Sequence, residues 1–231
     1  NIFNFHLLNN NYIMKNSYLN IFAFNKKILG KTIKILNKDK VMGLPTETVY
    51  GLGGNAYSKK AIKKIFDLKK RPKFNPLIVH YYNLSKAKKD VIINEKFKKL
   101  YKRFCPGPIT FILNKKDSSK IHALASAKLR TVAVRFPSHK ILRSILKKLN
   151  YPLAMPSANK SSRISPVNSI DVYEEFKGKI IIIDGGNCKI GIESTVIDLT
   201  SSPKILRPGI INKNQIEKIL KMKLNRTKLQ K

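Results

Sequence analysis

Acidic residues are scarce in this chain: 13 Asp and Glu stand against 47 Lys and Arg in 231 residues, a formal net charge of +34. So few carboxylates leave no obvious pair for general acid–base work. The same imbalance draws polyanions at low salt, although a Lys-, Asn- and Ile-rich composition also follows from a genome poor in G and C, with lysines spread over solvated faces. Cysteine is nearly absent. Cys105 and Cys188 form no C-x-x-C pair, and His6, His80, His122 and His139 form no ligand cluster, which argues against a zinc site or a disulfide framework and for a reduced, cytoplasmic compartment. No apolar run approaches the roughly 20 residues of a spanning helix. Residues 1–13, ahead of the first methionine at Met14, carry neither a basic leader region nor a small-residue cleavage site. A G-x-x-x-x-G-K-[ST] loop is missing too, so a nucleotide must bind here by another route.

What is present bounds one sizeable core, with 42% hydrophobic residues. Helical spacing is read over 26–38, from Ser58 as N-cap to Pro72, over 84–104, 139–149, 168–176 and 212–222. Short apolar runs read as strands up to Leu44, at 77–80, 110–113, 131–135, 152–155, 180–183 and 195–199, and the strands near 180–206 are spaced closely enough that they could pair antiparallel. The alternation predicts a layered α/β domain with a mixed sheet. The organisation expected is an N-terminal extension at 1–25, a domain at 26–222 and a basic tail at 223–231.

The Gly- and Pro-rich strand ends are where ligands bind in open α/β sheets. Residues 43–56 (GLPTETVYGLGGNA) suit a loop that presents backbone N–H groups and hydroxyls. Gly51 to Ala56 also fits the dinucleotide pattern G-x-G-x-x-A. A Rossmann site is rejected because Pro45 interrupts the strand, the helix starts only near Lys59 and no acidic residue follows at the right distance. Only eight of the 47 cations are Arg, so a retained Arg points to its bidentate fork. Arg71 lies between a helix end and Pro72, Arg135 ends a strand, and Arg207 precedes Pro208. Ser157, Ser165 and Ser194 sit in Ser-rich turns with no Ser-His-Asp spacing to make any of them a nucleophile.

In this order PTETVYGLG, K-x-R running into RP and NPLIVH, CPGPIT, TVAVRFP, S-x-N, IIDGG, ESTVIDL and LRPG resemble the YrdC family of threonylcarbamoyl-AMP synthases over about residues 26–212. The resemblance implies a twisted mixed sheet with flanking helices and a basic concave face, and an enzyme that makes threonylcarbamoyl-AMP and pyrophosphate from L-threonine, bicarbonate or CO2, and ATP, for tRNA modification. It assigns Thr48, His80, Arg135, Met155 and Ser194 to threonine, with Arg135 facing the carboxylate. ATP falls to Arg71, Asn75, Thr131, Ser157, Ser165 and Arg207, and Lys69, Arg71, Ser157 and Asn159 form the K-x-R and S-x-N tetrad. Met155 stands where smaller residues are common. Mg2+ bridging the triphosphate, a tRNA threonylcarbamoyl transferase as partner and no membrane complete the expectation. Longer relatives carry a further C-terminal domain, for which this chain stops too soon. The alternative is a double-stranded RNA or tRNA-binding module without chemistry. Carbamoyl transfer of the hydrogenase-maturation type is disfavoured, because no acylphosphatase or zinc-finger segment accompanies these motifs.

Overall fold

The computed structural model describes residues 18–224; the expectations for residues 1–13 lie outside them. In chain order the elements are β1 (Ile21–Ala23), α1 (Lys26–Leu36), β2 (Met42–Leu44), β3 (Gly51–Asn55), α2 (Lys59–Lys69), β4 (Ile78–His80), α3 (Leu84–Ala87), α4 (Glu95–Phe104), β5 (Ile109–Asn114) and β6 (Thr131–Arg135). There follow α5 (Lys140–Lys148), β7 (Leu153–Ala154), α6 (Ser169–Phe176), β8 (Ile181–Asp184), β9 (Thr195–Asp198), β10 (Lys204–Arg207) and α7 (Lys213–Leu220). One ten-stranded mixed sheet runs in the order β1-β8-β2-β3-β7-β4-β6-β5-β9-β10, so the layered α/β architecture is as the alternation predicts.

The asparagines that enrich the composition do local work. Asn25, Asn83, Asn94, Asn168 and Asn212 each accept a backbone N–H of the first turn as N-caps of α1, α3, α4, α6 and α7, and Ser58 does the same for α2. On α1 and α5 the apolar stripes meet, and Leu36, Leu142, Ile145 and Leu146 close over Met42, Leu44 and Met155 of the sheet. A larger cluster buries Ile62, Ile65 and Phe66 of α2, Phe97 and Leu100 of α4, and Ile216 of α7 with Val132 and Val134.

Four expectations need correction. Residues 84–104 are two helices, because the chain leaves the helix to bury Asp90. Its carboxylate accepts from Tyr57 Oη (2.6 Å), Tyr81 Oη (2.9 Å), Ser119 Oγ (3.0 Å) and Lys120 N (3.1 Å), and helix restarts at the Asn94 cap. Residues 51–55, read as part of a ligand loop, are a central strand. Glycine is needed there for close approach: a Cβ on Gly51 would lie 2.7 Å from Met155 Cε. Among the strands near 180–206 only β9 and β10 pair antiparallel, since β8 lies parallel between β1 and β2 on the far side of the sheet. Finally Ile21–Ala23, placed ahead of the domain, pairs with β8 as an edge strand.

Asp90 has no cationic partner among its hydrogen bonds, so it is a knot rather than a catalytic acid. Asp90→Ala orphans four donors, and the variant is expected to lose roughly 2–4 kcal/mol of stability, read as a lower urea midpoint.

Candidate active site

The pleat decides which side chains reach the cleft. On β6 Val132 and Val134 enter the core, leaving Thr131, Ala133 and Arg135 on the opposite face. Register then aligns His80 with Arg135, Arg135 with Thr110, Thr110 with Val196, and Val196 with Arg207, one row across five strands. Over this row opens a cleft lined by Thr46, Tyr50, Gly51, His80, Arg135, Met155, Ser157, Glu193, Ser194 and Arg207. Gly209 lets the segment after β10 close up on it, because a Cβ there would stand 2.5 Å from Thr195 N and 2.8 Å from Glu193 O.

Of the threonine set, His80, Arg135, Met155 and Ser194 line the cleft. Thr48 is buried behind them. Its Oγ1 accepts from Arg135 Nη2 at 2.8 Å and meets Thr46 Oγ1 at 2.9 Å. Arg135 Nη2 also donates to Glu47 Oε1 at 2.8 Å, in an ion pair whose side chains are 5% and 7% exposed. The second Glu47 oxygen accepts Ser138 N at 3.2 Å. Burial pushes the Glu47 carboxyl up, but Arg135 and the backbone donors outweigh it and hold it below the ordinary value. Arg135 Nε is left buried without a partner. His80 is neutral: burial first, then the Arg135 charge, pull it down to about 3.

In the ATP set, Ser157 and Arg207 line the cleft. Arg207 donates through Nε and Nη2 to Ser194 O (3.1 and 2.9 Å), through Nη2 to Ser194 Oγ (3.1 Å), and through Nη1 to Glu193. Ser165 donates to the other Glu193 oxygen at 2.9 Å, and Ser194 Oγ meets Thr110 Oγ1 at 2.8 Å. Arg71 is swung out by Lys70, a left-handed C-cap of α2, and its fork folds onto Asn75 O, Asn75 Oδ1 and Pro76 O at 3.0, 2.6 and 2.9 Å. Thr131 shares the Arg135 face about 13 Å along the strand.

Lys69, at the end of α2, is 1% exposed. Its ammonium donates to Ser157 O (2.7 Å), to Asn159 O and to Asn159 Oδ1 (3.3 Å), while Asn159 Nδ2 donates to Lys160 O and Arg163 O (3.0 and 2.6 Å). Lys69 and Asn159 therefore hold the turn that presents Ser157. Burial, then the Arg71 charge, pull Lys69 down to about 7 against an opposing pull from Glu175.

The result is a concentration of positive charge. Burial, then the charges of Arg135 and Arg71, pull Arg207 down to about 10. Such a group of guanidiniums is built for carboxylate or phosphate. Neither cysteine competes as a nucleophile, since burial pushes both thiols up, Cys188 to about 11. Sequence reading missed Glu47 and Glu193, although both lie inside segments it singled out, because their arginine partners, 88 and 14 residues on, stand in other segments.

A family model named Sua5_yciO_yrdC, described as "Telomere recombination", matches residues 34–209. The chain is 45% identical over 190 residues to a threonylcarbamoyl-AMP synthase of Pyrococcus abyssi, covering 80% of this chain and 55% of that protein. It is 41% identical over 200 residues to one of Bacillus subtilis, covering 85% and 57%. The crystal structure of P. abyssi Sua5 complexed with L-threonine superposes with a TM-score of 0.84 at 39% identity, over 89% of this chain and 62% of that one. The chain thus spans little more than half the length of these curated relatives. On the order of its motifs, the extent of the match and the shared fold, the chain belongs to the Sua5/YciO/YrdC family.

Proposed function

We propose that this chain makes threonylcarbamoyl-AMP from L-threonine, bicarbonate or CO2, and ATP. The observation that carries the reading is the arginine cluster: Arg135 and Arg207 line one cleft, with Arg71 close enough to depress Arg207. It occurs in a chain 45% identical to a protein of that name. In this reading Arg135, whose Nε has no partner, takes the threonine carboxylate, and His80, Met155 and Ser194 wall the amino acid. Thr48 acts through Arg135. Arg71, Asn75, Ser157, Ser165, Arg207 and, farther along the face, Thr131 take ATP. The domain is 26–222 together with strand β1.

The chemistry needs no protein nucleophile. The threonine nitrogen adds to the CO2 carbon and loses a proton, giving a carbamate. A carbamate oxygen then attacks the α-phosphorus, and pyrophosphate departs with the electron pair of the broken P–O bond. Holding the reactants in line is worth roughly 7–11 kcal/mol, and the guanidiniums stabilise charge on the phosphates. Mg2+ would supply further neutralisation of the triphosphate. No group of three or more His, Cys, Asp or Glu side chains converges among the described residues, so they form no all-protein cage for Mg2+, an ion that one or two carboxylates together with substrate phosphates ordinarily hold. The adenylate would pass to a transferase acting on tRNA, towards which the +34 charge also steers the chain. Among the described residues no helix is long and apolar enough to cross a membrane.

Mass spectrometry of the product tests this. Label from bicarbonate and from threonine is expected in one adenylate; an adenylate carrying threonine but no bicarbonate carbon overturns the assignment.

A further inference from the structure

Arg207, at the end of β10, and Ser165, in the loop before α6, both end on the same carboxylate. Glu193 accepts Ser165 Oγ on one oxygen and pairs with Arg207 Nη1 on the other. The pair is only partly covered, with side chains 36% and 32% exposed, and both residues line the cleft. Among the described residues the other ion pair on this wall is Glu47 with Arg135, which is nearly sealed from solvent. Glu193 is therefore the one carboxylate lining the cleft that already occupies the guanidinium a ligand phosphate would need. Its position is fixed by the backbone: its O lies against Gly209 and its neighbour Ser194 also binds Arg207.

Resting on the nucleotide reading above, we propose that Glu193 is a positioning residue that serves as a stand-in anion. It holds Arg207 and Ser165 at their working places while the cleft is empty and gives up Arg207 to an incoming phosphate. The exchange swaps one charge-assisted hydrogen bond for another, so Arg207 does not reorganise when the nucleotide arrives. Its cost is competition, since every ligand must break the resident ion pair and then lies beside a carboxylate.

Isothermal titration of ATP into wild-type, Glu193→Gln and Glu193→Ala proteins tests this, with melting temperature as the control for folding. Both variants lack the competing charge, and each is expected to bind ATP about three- to fivefold more tightly, the scale of a partly exposed ion pair. In the Arg207→Ala background the Glu193→Gln change is expected to lose most of this gain, because the two residues act as one unit. If Glu193 only positioned Arg207 and Ser165 and did not compete with the ligand, its removal would weaken ATP binding or leave it unchanged. Either result, in proteins that melt with the wild type, overturns the proposal while leaving the nucleotide reading intact. Absence of ATP binding to wild type and variants alike overturns both.

Discussion

Arg71→Ala is expected to lower turnover by about two to three orders of magnitude, the effect of removing one preorganised donor, while shifting the melting temperature little. The two halves of this expectation come from one observation. Arg71 spends its hydrogen bonds inside its own turn, on Asn75 and Pro76. It nevertheless stands near enough to Arg207 for its charge to be felt there, so its removal subtracts charge from the end of the cleft proposed to take phosphate and little from the fold. Arg71→Lys keeps the charge but not the planar fork and should recover only part of the rate. Pyrophosphate release at the wild-type rate from Arg71→Ala would show that Arg71 takes no part.

Glu47→Ala, by contrast, should act on the fold first. It leaves Arg135 charged and buried with only Thr48 to receive Nη2. Breaking such a pair costs about 3–5 kcal/mol, a large share of the roughly 5–15 kcal/mol that separates folded from unfolded domains. The unfolding midpoint in urea measures it, and a change within error would mean that solvent reaches Arg135. The same pair sets an acid limit. Because the folded-state value of Glu47 is depressed below 4.5, its contribution is complete above that pH and is lost as pH falls through the depressed value. His80 acts in the same direction at a higher pH. Below about 6.5 the unfolded chain takes up a proton that the folded imidazole refuses until about 3. Melting temperature should therefore fall as pH drops from 6.5, and His80→Gln should flatten the part of the curve between 6.5 and 4.5. An unchanged curve in that variant would mean that His80 is not held neutral.

How much of this was legible in the sequence depended on how far apart the partners lie. Ser58 as a cap, the helical spacing of α2 and the short apolar run at Thr131–Arg135 are local, and the structure places them as predicted. Asp90 interrupts a helical rhythm for the sake of Tyr57 and Ser119, 33 and 29 residues away, and nothing in the window 84–104 reveals that demand. The glycines at 51–54 looked like a loop because strands seldom contain them. They pack as a strand because Met155, about 100 residues on, lies against the bare Cα atoms of Gly51 and Gly53, while Ala61 and Ile65 of α2 lie against Gly54. In the site, Arg135 was singled out by its strand end, but the spacing gave no sign that Glu47, 88 residues earlier, had already taken part of its fork. Motif order carried the family; the counter-ions needed coordinates.

Pyrophosphate release from ATP by the purified chain, with and without L-threonine and bicarbonate, tests the central claim most directly. Release that requires both substrates is the predicted result. Release indifferent to threonine, or none at all while tRNA is still bound tightly, would contradict it and leave an RNA-binding module on this fold.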